Sequence, residues 1–209
     1  MEKKYWDDLW TKNDIEFHMS EVNPALIKFG KQLLDVNNKK AFIPLCGKTL
    51  DLIWFSERCD HVYGVELSEK AILEFFNENS IEFTKREEGE FKIFEGRNIS
   101  VYCGDFFKFP IKELEIDIVF DRGSLVALPL GMRADYLTKF KNELSQGARW
   151  LLCVFEYPQE KMEGPPFSVS LEEIESGLDK AFHITRLDRV AFNDFEIDAF
   201  FENTYIIKN

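Results

Sequence analysis

The chain has 209 residues, of which 45% are hydrophobic and 31% charged, and it carries a formal net charge of −12. This length suits one sizeable core, and because no stretch rich in proline, glycine or serine divides it, we expect a single domain over residues 1–209. The acidic charge excludes nucleic acid, whose phosphates need clustered lysine and arginine, and without an apolar run of roughly 20 residues or a signal peptide we expect a cytoplasmic protein that binds no membrane.

The N-terminal half predicts two helices and then an alternation of strands and helices. Apolar residues at helical spacing indicate helices over 5–12 and 24–34. A short apolar run indicates a strand over 40–45, which a tight turn joins to a third helix. The apolar run 61–66 indicates a second strand, and Ser68 is a suitable cap for the amphipathic helix that follows. The two strands and their helices predict a βαβα unit.

The alternation continues in the middle of the chain. The charged stretch 85–96 is predicted to be an excursion between strands, and the apolar runs 99–103 and 116–121 indicate the next two strands. A helix is predicted over 131–144, and the continuous apolar run 150–155 indicates a buried strand. Strands that alternate with helices in this way predict a mostly parallel sheet with helices on both faces.

The C-terminal part predicts a different strand arrangement. A helix over 171–178 precedes two β-like stretches, 184–192 and 197–207. Because only a short Asn193-Asp194 turn separates these stretches, they should pair as an antiparallel hairpin. The sequence therefore predicts an α/β fold with a single doubly wound, mostly parallel sheet that ends in a C-terminal antiparallel hairpin.

The first two strand ends carry candidate binding residues, because open parallel sheets bind ligands beyond the carboxyl ends of their strands. The turn from Pro44 to Lys48 has a single glycine, which permits close backbone approach but is also compatible with an ordinary βα turn. It lacks the three glycines of the dinucleotide fingerprint, so a ligand without a pyrophosphate is favoured over NAD. Glu66 closes the second strand where nucleoside-binding folds place an acid on the ribose hydroxyls; the alternative is a favourable charge at the start of the next helix.

The third and fourth strand ends add aromatic and charged candidates. An adenine ring could stack on Phe106 while its amino group donates to Asp105, although Gly-Asp after a strand is also a common turn. Arg122 is predicted to bind a cofactor carboxylate or an anionic acceptor through its planar fork, with a salt bridge at the sheet edge as the alternative. The cysteines and histidines are scattered, so we predict no metal site.

Seven short stretches follow one another in an order that identifies a family. They are Trp6 through Trp10 to Phe17-His18, Asn23-Pro24, Ile43 to Asp51, Gly64 to Ser68, Cys103 to Phe107, Asp121 to Pro129, and Gly164 to Phe167. Together they resemble the thiopurine S-methyltransferase family, and its bacterial branch in particular. The resemblance covers nearly the whole chain, and seven ordered matches are far more specific than any one of them.

The resemblance implies a class I methyltransferase fold, with S-adenosylmethionine as the methyl donor and S-adenosylhomocysteine as the product. The positions that it assigns to the cofactor are Trp10, Leu45, Glu66, Asp105, Phe106 and Arg122. Arg122 is also implied to be catalytic and Phe17 to lie at the substrate. The segment around Trp6, Trp10 and Phe17 is implied to fold over the site, so we expect a helical lid over 1–36 and an α/β core over 40–209.

The implied activity is methyl transfer to the sulfur of thiopurines or similar small thiols. A thiolate is already nucleophilic, so little acid–base machinery is required and we nominate no general base. The vertebrate branch holds the thiopurine with a second, C-terminal arginine, whereas this chain offers 193–196 instead. Bacterial relatives are also associated with methylation of selenium and tellurium species, and a more distant plant branch uses halide or thiocyanate, so the resemblance implies these as alternative acceptors.

Two further functions differ in class. One is a non-catalytic module that binds S-adenosylmethionine, and the other is a nucleotide-dependent oxidoreductase with Glu66 on the NAD ribose, which the missing glycines disfavour. For the methyltransferase we expect a monomer whose only partner is a small thiol or another soft nucleophile.

Overall fold

The computed structural model describes residues 3–36, 39–191 and 197–209. Its α-helices are α1 (Lys3–Lys12), α2 (Pro24–Leu33), α3 (Asp51–Ser56), α4 (Glu69–Glu78), α5 (Ile111–Leu114), α6 (Leu130–Glu143) and α7 (Leu171–Leu178). Its strands are β1 (Lys40–Ile43), β2 (His61–Glu66), β3 (Thr84–Glu88), β4 (Phe91–Gly96), β5 (Ile99–Cys103), β6 (Ile118–Arg122), β7 (Arg149–Glu156), β8 (His183–Ala191) and β9 (Phe201–Lys208). Within the described ranges, each helix is too short or too polar to cross a bilayer.

The chain forms two compact units. One unit comprises Met1–Gly30 and Asn37–Pro110, and the other comprises Lys31–Val36 and Ile111–Asn209. In the first unit the strands follow the order β3-β4-β5-β2-β1, with β1, β2 and β5 parallel to one another. In the second unit the order is β6-β7-β9-β8, with β6 parallel to β7.

The predicted excursion over 85–96 is itself a β-hairpin. Strands β3 and β4 pair antiparallel, and β4 pairs antiparallel with β5, so the hairpin extends the sheet of the first unit. Every residue of β3 is exposed. A strand with two solvent-facing sides has no apolar alternation, which is the physical reason why the charged sequence did not predict it.

Apolar burial and a cap explain the βα pairs of the first unit. Strand β5 is buried along its whole length, and α4 buries Ala71, Ile72 and Phe75 on one face. The Ser68 hydroxyl accepts a hydrogen bond from the Ala71 backbone N–H at 3.5 Å, which confirms the predicted cap. These contacts fix the carboxyl ends of β2 and β5, where the candidate residues lie.

The second unit ends in the antiparallel pairing that the sequence predicted. Strand β9 pairs antiparallel with both β7 and β8. The predicted last strand, 197–207, begins later than expected, at Phe201, because the chain turns at Asp198–Ala199 and Ala199 adopts a left-handed φ of 59°. The Asn193-Asp194 turn lies outside the described residues. The fold is mixed α/β, with parallel central strands and antiparallel C-terminal strands.

Candidate functional site

The turn after β1 has an unusual backbone. Leu45 and Gly47 both adopt left-handed φ angles, of 44° and 51°. A leucine in this region is uncommon and strained, and such strain concentrates at functional sites. The Cys46 backbone N–H donates to the Val65 carbonyl at 3.0 Å, which ties the turn to the end of β2. The turn is thus held in a defined shape beside Glu66.

Glu66 is the carboxylate that organises this edge of the sheet. Its side chain is 6% exposed. Oε2 accepts the Gly47 N–H at 2.9 Å, and Oε1 accepts the Ser68 N–H at 2.8 Å. Burial raises the pKa of Glu66, and the backbone donors oppose that rise. Because a carboxylate has about four acceptor positions, the backbone donors of Gly47, Ser68 and Leu67 still leave capacity for a ligand hydroxyl.

The N-terminal helix packs on the same turn. A Cβ at position 47 would lie 3.0 Å from the indole ring of Trp10, which is a tight contact, and the left-handed φ at this position also favours glycine. Trp10 is 2% exposed. The Phe17 ring packs edge-on against Trp6 and Trp10, with centroid separations of 5.7 and 5.6 Å, and remains 40% exposed. The structure therefore brings Trp10, Leu45 and Glu66 together around Gly47.

Lys48 is a residue of this turn that the sequence analysis did not single out. Its buried Nζ donates to Glu74 Oε2 at 2.9 Å and to Glu78 Oε1 at 2.8 Å. Burial disfavours the charge, but the hydrogen bonds to Glu78 and Glu74 outweigh it and raise the pKa of Lys48. The two acids are four residues apart in α4, so they share a helix face. That spacing was the available signal for a cation beside the helix.

We expect Lys48→Met to lower the free energy of unfolding by about 1 to 3 kcal/mol, because Glu74 and Glu78 would lose their shared, buried cation. Urea denaturation measures this change. Lys70 is a matched control, since it pairs with the same Glu74 from an exposed position. Lys70→Met should cost less than about 1 kcal/mol. Equal losses in the two variants would contradict a special role for the buried lysine.

Asp105 and Phe106 follow the end of β5. Asp105 is exposed, and its Oδ1 accepts the Phe107 N–H at 3.0 Å, which caps the short 3₁₀ turn Phe106–Lys108. Phe106 is 2% exposed, and its ring lies nearly parallel to that of Phe42 at 6.3 Å. The Gly104 N–H donates to the Glu66 carbonyl at 2.9 Å, so this segment runs next to the end of β2.

Arg122 belongs to the second unit, at the end of β6. The preceding Asp121 is fully buried, and its Oδ2 accepts the Tyr136 hydroxyl at 2.7 Å while its Oδ1 accepts the Ser124 and Leu125 N–H groups at 3.3 Å. Side chains alternate along a strand, so Arg122 points to the opposite face. Asp121 thus anchors the backbone that carries Arg122. The adjacent positions in the sequence do not by themselves separate these two roles.

Asp121 predicts a pH dependence of stability. Burial raises its pKa from 3.8 to about 6, so the folded chain binds this proton more tightly than the unfolded chain. The stabilisation of the folded chain by the protonated carboxyl is complete below pH 3.8 and is lost as the pH rises through about 6. Relative to Asp121→Asn, the free energy of unfolding of the wild type should fall by about 3 kcal/mol over that range. Denaturation from about pH 4 to pH 7 measures it.

Asp135 gives the control for that titration, because it is an exposed aspartate on α6 in the same unit. Asp135→Asn should leave the pH profile of the wild type unchanged. A constant difference between the wild type and Asp121→Asn at all pH values would contradict the burial argument.

A family model and two sequence relatives point to one family. The family model described as Thiopurine S-methyltransferase matches residues 1–208. A thiopurine S-methyltransferase from Vibrio vulnificus is 37% identical over 214 residues, covering 99% of this chain and 97% of that relative. Another from Vibrio parahaemolyticus is 42% identical over 175 residues, covering 83% and 80%.

A solved structure shares the fold. Burkholderia thailandensis 1,6-didemethyltoxoflavin-N1-methyltransferase, solved with bound S-adenosylhomocysteine, has a TM-score of 0.67 and 15% identity. The similarity covers 99% of this chain and 87% of that one. At this identity it establishes the fold alone, that of the class I methyltransferases.

Proposed function

Because the chain belongs to the thiopurine S-methyltransferase family, we propose that it methylates the sulfur of thiopurines or similar small thiols. Family membership makes it a methyltransferase of the S-adenosylmethionine-dependent class; the acceptor is our proposal. The observation that carries the proposal is the buried Glu66 carboxylate, which is fixed by the Gly47 and Ser68 N–H groups and lies beside a turn covered by Trp10.

The residues present fit this cofactor. We assign to it Trp10, Leu45, Glu66, Asp105, Phe106 and Arg122. The remaining acceptor capacity of Glu66 suits a vicinal ribose diol, and the exposed Asp105 can accept an adenine amino group. Phe106 is buried and its ring is stacked on Phe42, so we propose that it contributes to the cofactor site by supporting the adenine-binding surface and not by stacking on the adenine ring. When bound, S-adenosylmethionine supplies an electrophilic methyl group on a sulfonium.

The N-terminal segment is proposed to act as a lid. We assign 1–36 to the lid and 40–209 to the core of one methyltransferase domain. The packing of Trp10 over Gly47 supports this assignment, and the exposed Phe17 beside it is the side chain that we place at the acceptor. An aromatic lid excludes water and aligns the reactants, which is what a displacement at a methyl carbon requires.

Arg122 is proposed as the catalytic residue. Its guanidinium binds the ionised acceptor through a planar fork of donors and orients it for in-line attack. A small, soft anion needs no covalent activation, so thiols are preferred over harder oxygen nucleophiles. We also propose that the chain works as a cytoplasmic monomer with no macromolecular partner.

The test is release of S-adenosylhomocysteine from purified protein and S-adenosylmethionine with a panel of acceptors. The panel contains 6-mercaptopurine, aryl thiols, selenite, iodide and a catechol. Turnover with thiols supports the proposal, and selenite or iodide as the best acceptor would move the assignment to another soft nucleophile. Turnover of the catechol alone would contradict a soft-acceptor site, and cofactor binding with no turnover would favour a binding module.

A further inference from the structure

Glu202, an acidic residue of β9, shares a sheet face with Arg122. Arg122 lies opposite Cys153 of β7, and Cys153 lies opposite Thr204 of β9. Paired residues share a face, and residues two apart in a strand do as well. Glu202 is two residues from Thr204 and opposite Phe155, so it projects on the Arg122 side of the sheet.

The charged neighbours of Glu202 act on it in opposite directions. Glu202 is half-buried, and burial raises its pKa while Arg122 lowers it. Asp188, opposite Thr204 on β8, raises the pKa further. The same two charges act on the Cys153 thiol. Burial raises the pKa of this thiol most, Glu202 raises it further, and Arg122 lowers it. The result is a partly desolvated carboxylate within the field of a cation.

Glu156, an acidic residue on the opposite face of strands β7 and β9, is paired with neighbouring side chains. It accepts Arg189 Nη1 at 2.8 Å and Asn203 Nδ2 at 3.0 Å, so it is held in an ion-pair network. Arg189 also lies over the Phe201 ring at 4.0 Å. This network stays on the face away from Arg122, because Asn203 alternates with Glu202.

Resting on the proposed function, we propose that Glu202 accepts the proton of thiol acceptors that reach Arg122 in the neutral form. The S–H bond breaks, its proton passes to a Glu202 carboxylate oxygen, and the sulfur keeps the electron pair. That electron pair forms the new bond to the methyl carbon while the bond between the methyl carbon and the sulfonium sulfur breaks. The electrons of the broken bond remain on the sulfur of S-adenosylhomocysteine. Glu202 returns the proton to water after the product leaves.

Glu202 therefore has opposite effects on two kinds of acceptor. A neutral thiol needs a base within reach, and Arg122 assists by stabilising the thiolate that forms. An acceptor that arrives ionised needs no base. For such an acceptor the Glu202 carboxylate competes for the Arg122 charge and repels the incoming anion.

The experiment compares two acceptors in Glu202→Gln at pH 7. One is 2-mercaptoethanol, which is mostly protonated there as a cysteine thiol is, and the other is 4-nitrothiophenol, which is ionised. We expect kcat/KM for 2-mercaptoethanol to fall about 10²-fold, the scale of losing a positioned base. For 4-nitrothiophenol we expect a severalfold rise.

The pH profile supplies a readout that a structural role would not move. With 2-mercaptoethanol, wild-type kcat/KM should be flat between the pKa of Glu202 and that of the thiol. In Glu202→Gln it should rise about tenfold per pH unit over the same range, because only pre-ionised thiol then reacts.

Glu156→Gln is the matched control, since it makes the same exchange on the opposite face and should keep the wild-type ratio of the two acceptors. Equal losses for both acceptors in Glu202→Gln would mean that this residue only supports the fold, and would overturn the proposal. A wild-type chain that turns over neither acceptor overturns the proposed function, and the proton-transfer role with it.

Discussion

Replacing Arg122 with methionine is expected to lower kcat/KM for an ionised thiol by about 10- to 100-fold, the scale of removing a hydrogen bond to a charged group. Most of this loss should appear in KM. An anionic acceptor and a cationic sulfonium neutralise each other as the methyl group moves, so a fixed cation favours the bound thiolate at least as strongly as the transition state. Steady-state kinetics with 4-nitrothiophenol measures the effect.

Arg122→Lys is the matched control that separates the effect of the positive charge from that of the planar arrangement of donors. Lysine keeps the positive charge but loses the planar fork of donors, so its kcat/KM should lie between those of the wild type and Arg122→Met. Asp121, which anchors the same backbone, is buried on the other face. An unchanged melting temperature in both variants would show that this anchor survives. If Arg122→Met kept the kcat/KM of the wild type, the assignment of Arg122 to the site would be wrong.

Glu66→Ala is expected to weaken S-adenosylmethionine binding by about 1 to 3 kcal/mol, which calorimetry measures directly. It should also destabilise the fold, because the Gly47 and Ser68 N–H groups would lose their buried acceptor. Glu66→Gln keeps the shape and one acceptor oxygen, so both losses should be smaller. Unchanged affinity in Glu66→Ala would contradict the assignment.

A second comparison separates the ribose contact from the structural role of Glu66. The 2′-deoxy analogue of S-adenosylhomocysteine lacks one hydroxyl of the proposed diol. If Glu66 accepts from that hydroxyl, Glu66→Ala should weaken binding of the analogue less than binding of S-adenosylhomocysteine itself. Equal weakening of the two ligands would mean that Glu66 acts only through the turn.

Much of the fold could be predicted from local sequence. The strands 61–66 and 99–103 and the helix 171–178 have the predicted bounds, because each is a strong apolar pattern delimited by polar or turn residues. The exposed β3 could not be predicted in the same way. Its partner lies across a hairpin, and neither of its faces is buried.

The candidate site was predicted less completely, for a related reason. Glu66 is recognisable as a candidate because it closes an apolar strand at the expected distance from a turn. Glu202, which we propose as a proton acceptor, is not recognisable in this way, because its relation to Arg122 depends on the register of three strands that are far apart in sequence. Trp10, from helical spacing alone, would be taken for a core anchor. It is buried, and the structure also places its ring on Gly47.

The central claim is methyl transfer to sulfur, and the most direct measurement is carbon-13 NMR of the product formed from methyl-labelled S-adenosylmethionine and 4-nitrothiophenol. We expect the label to appear at the chemical shift of an aryl S-methyl group, at the rate at which S-adenosylhomocysteine forms, and to appear more slowly with Arg122→Met. Label found on oxygen or nitrogen, or retained in the cofactor while the protein binds it, would contradict the assignment of this chain as an S-methyltransferase.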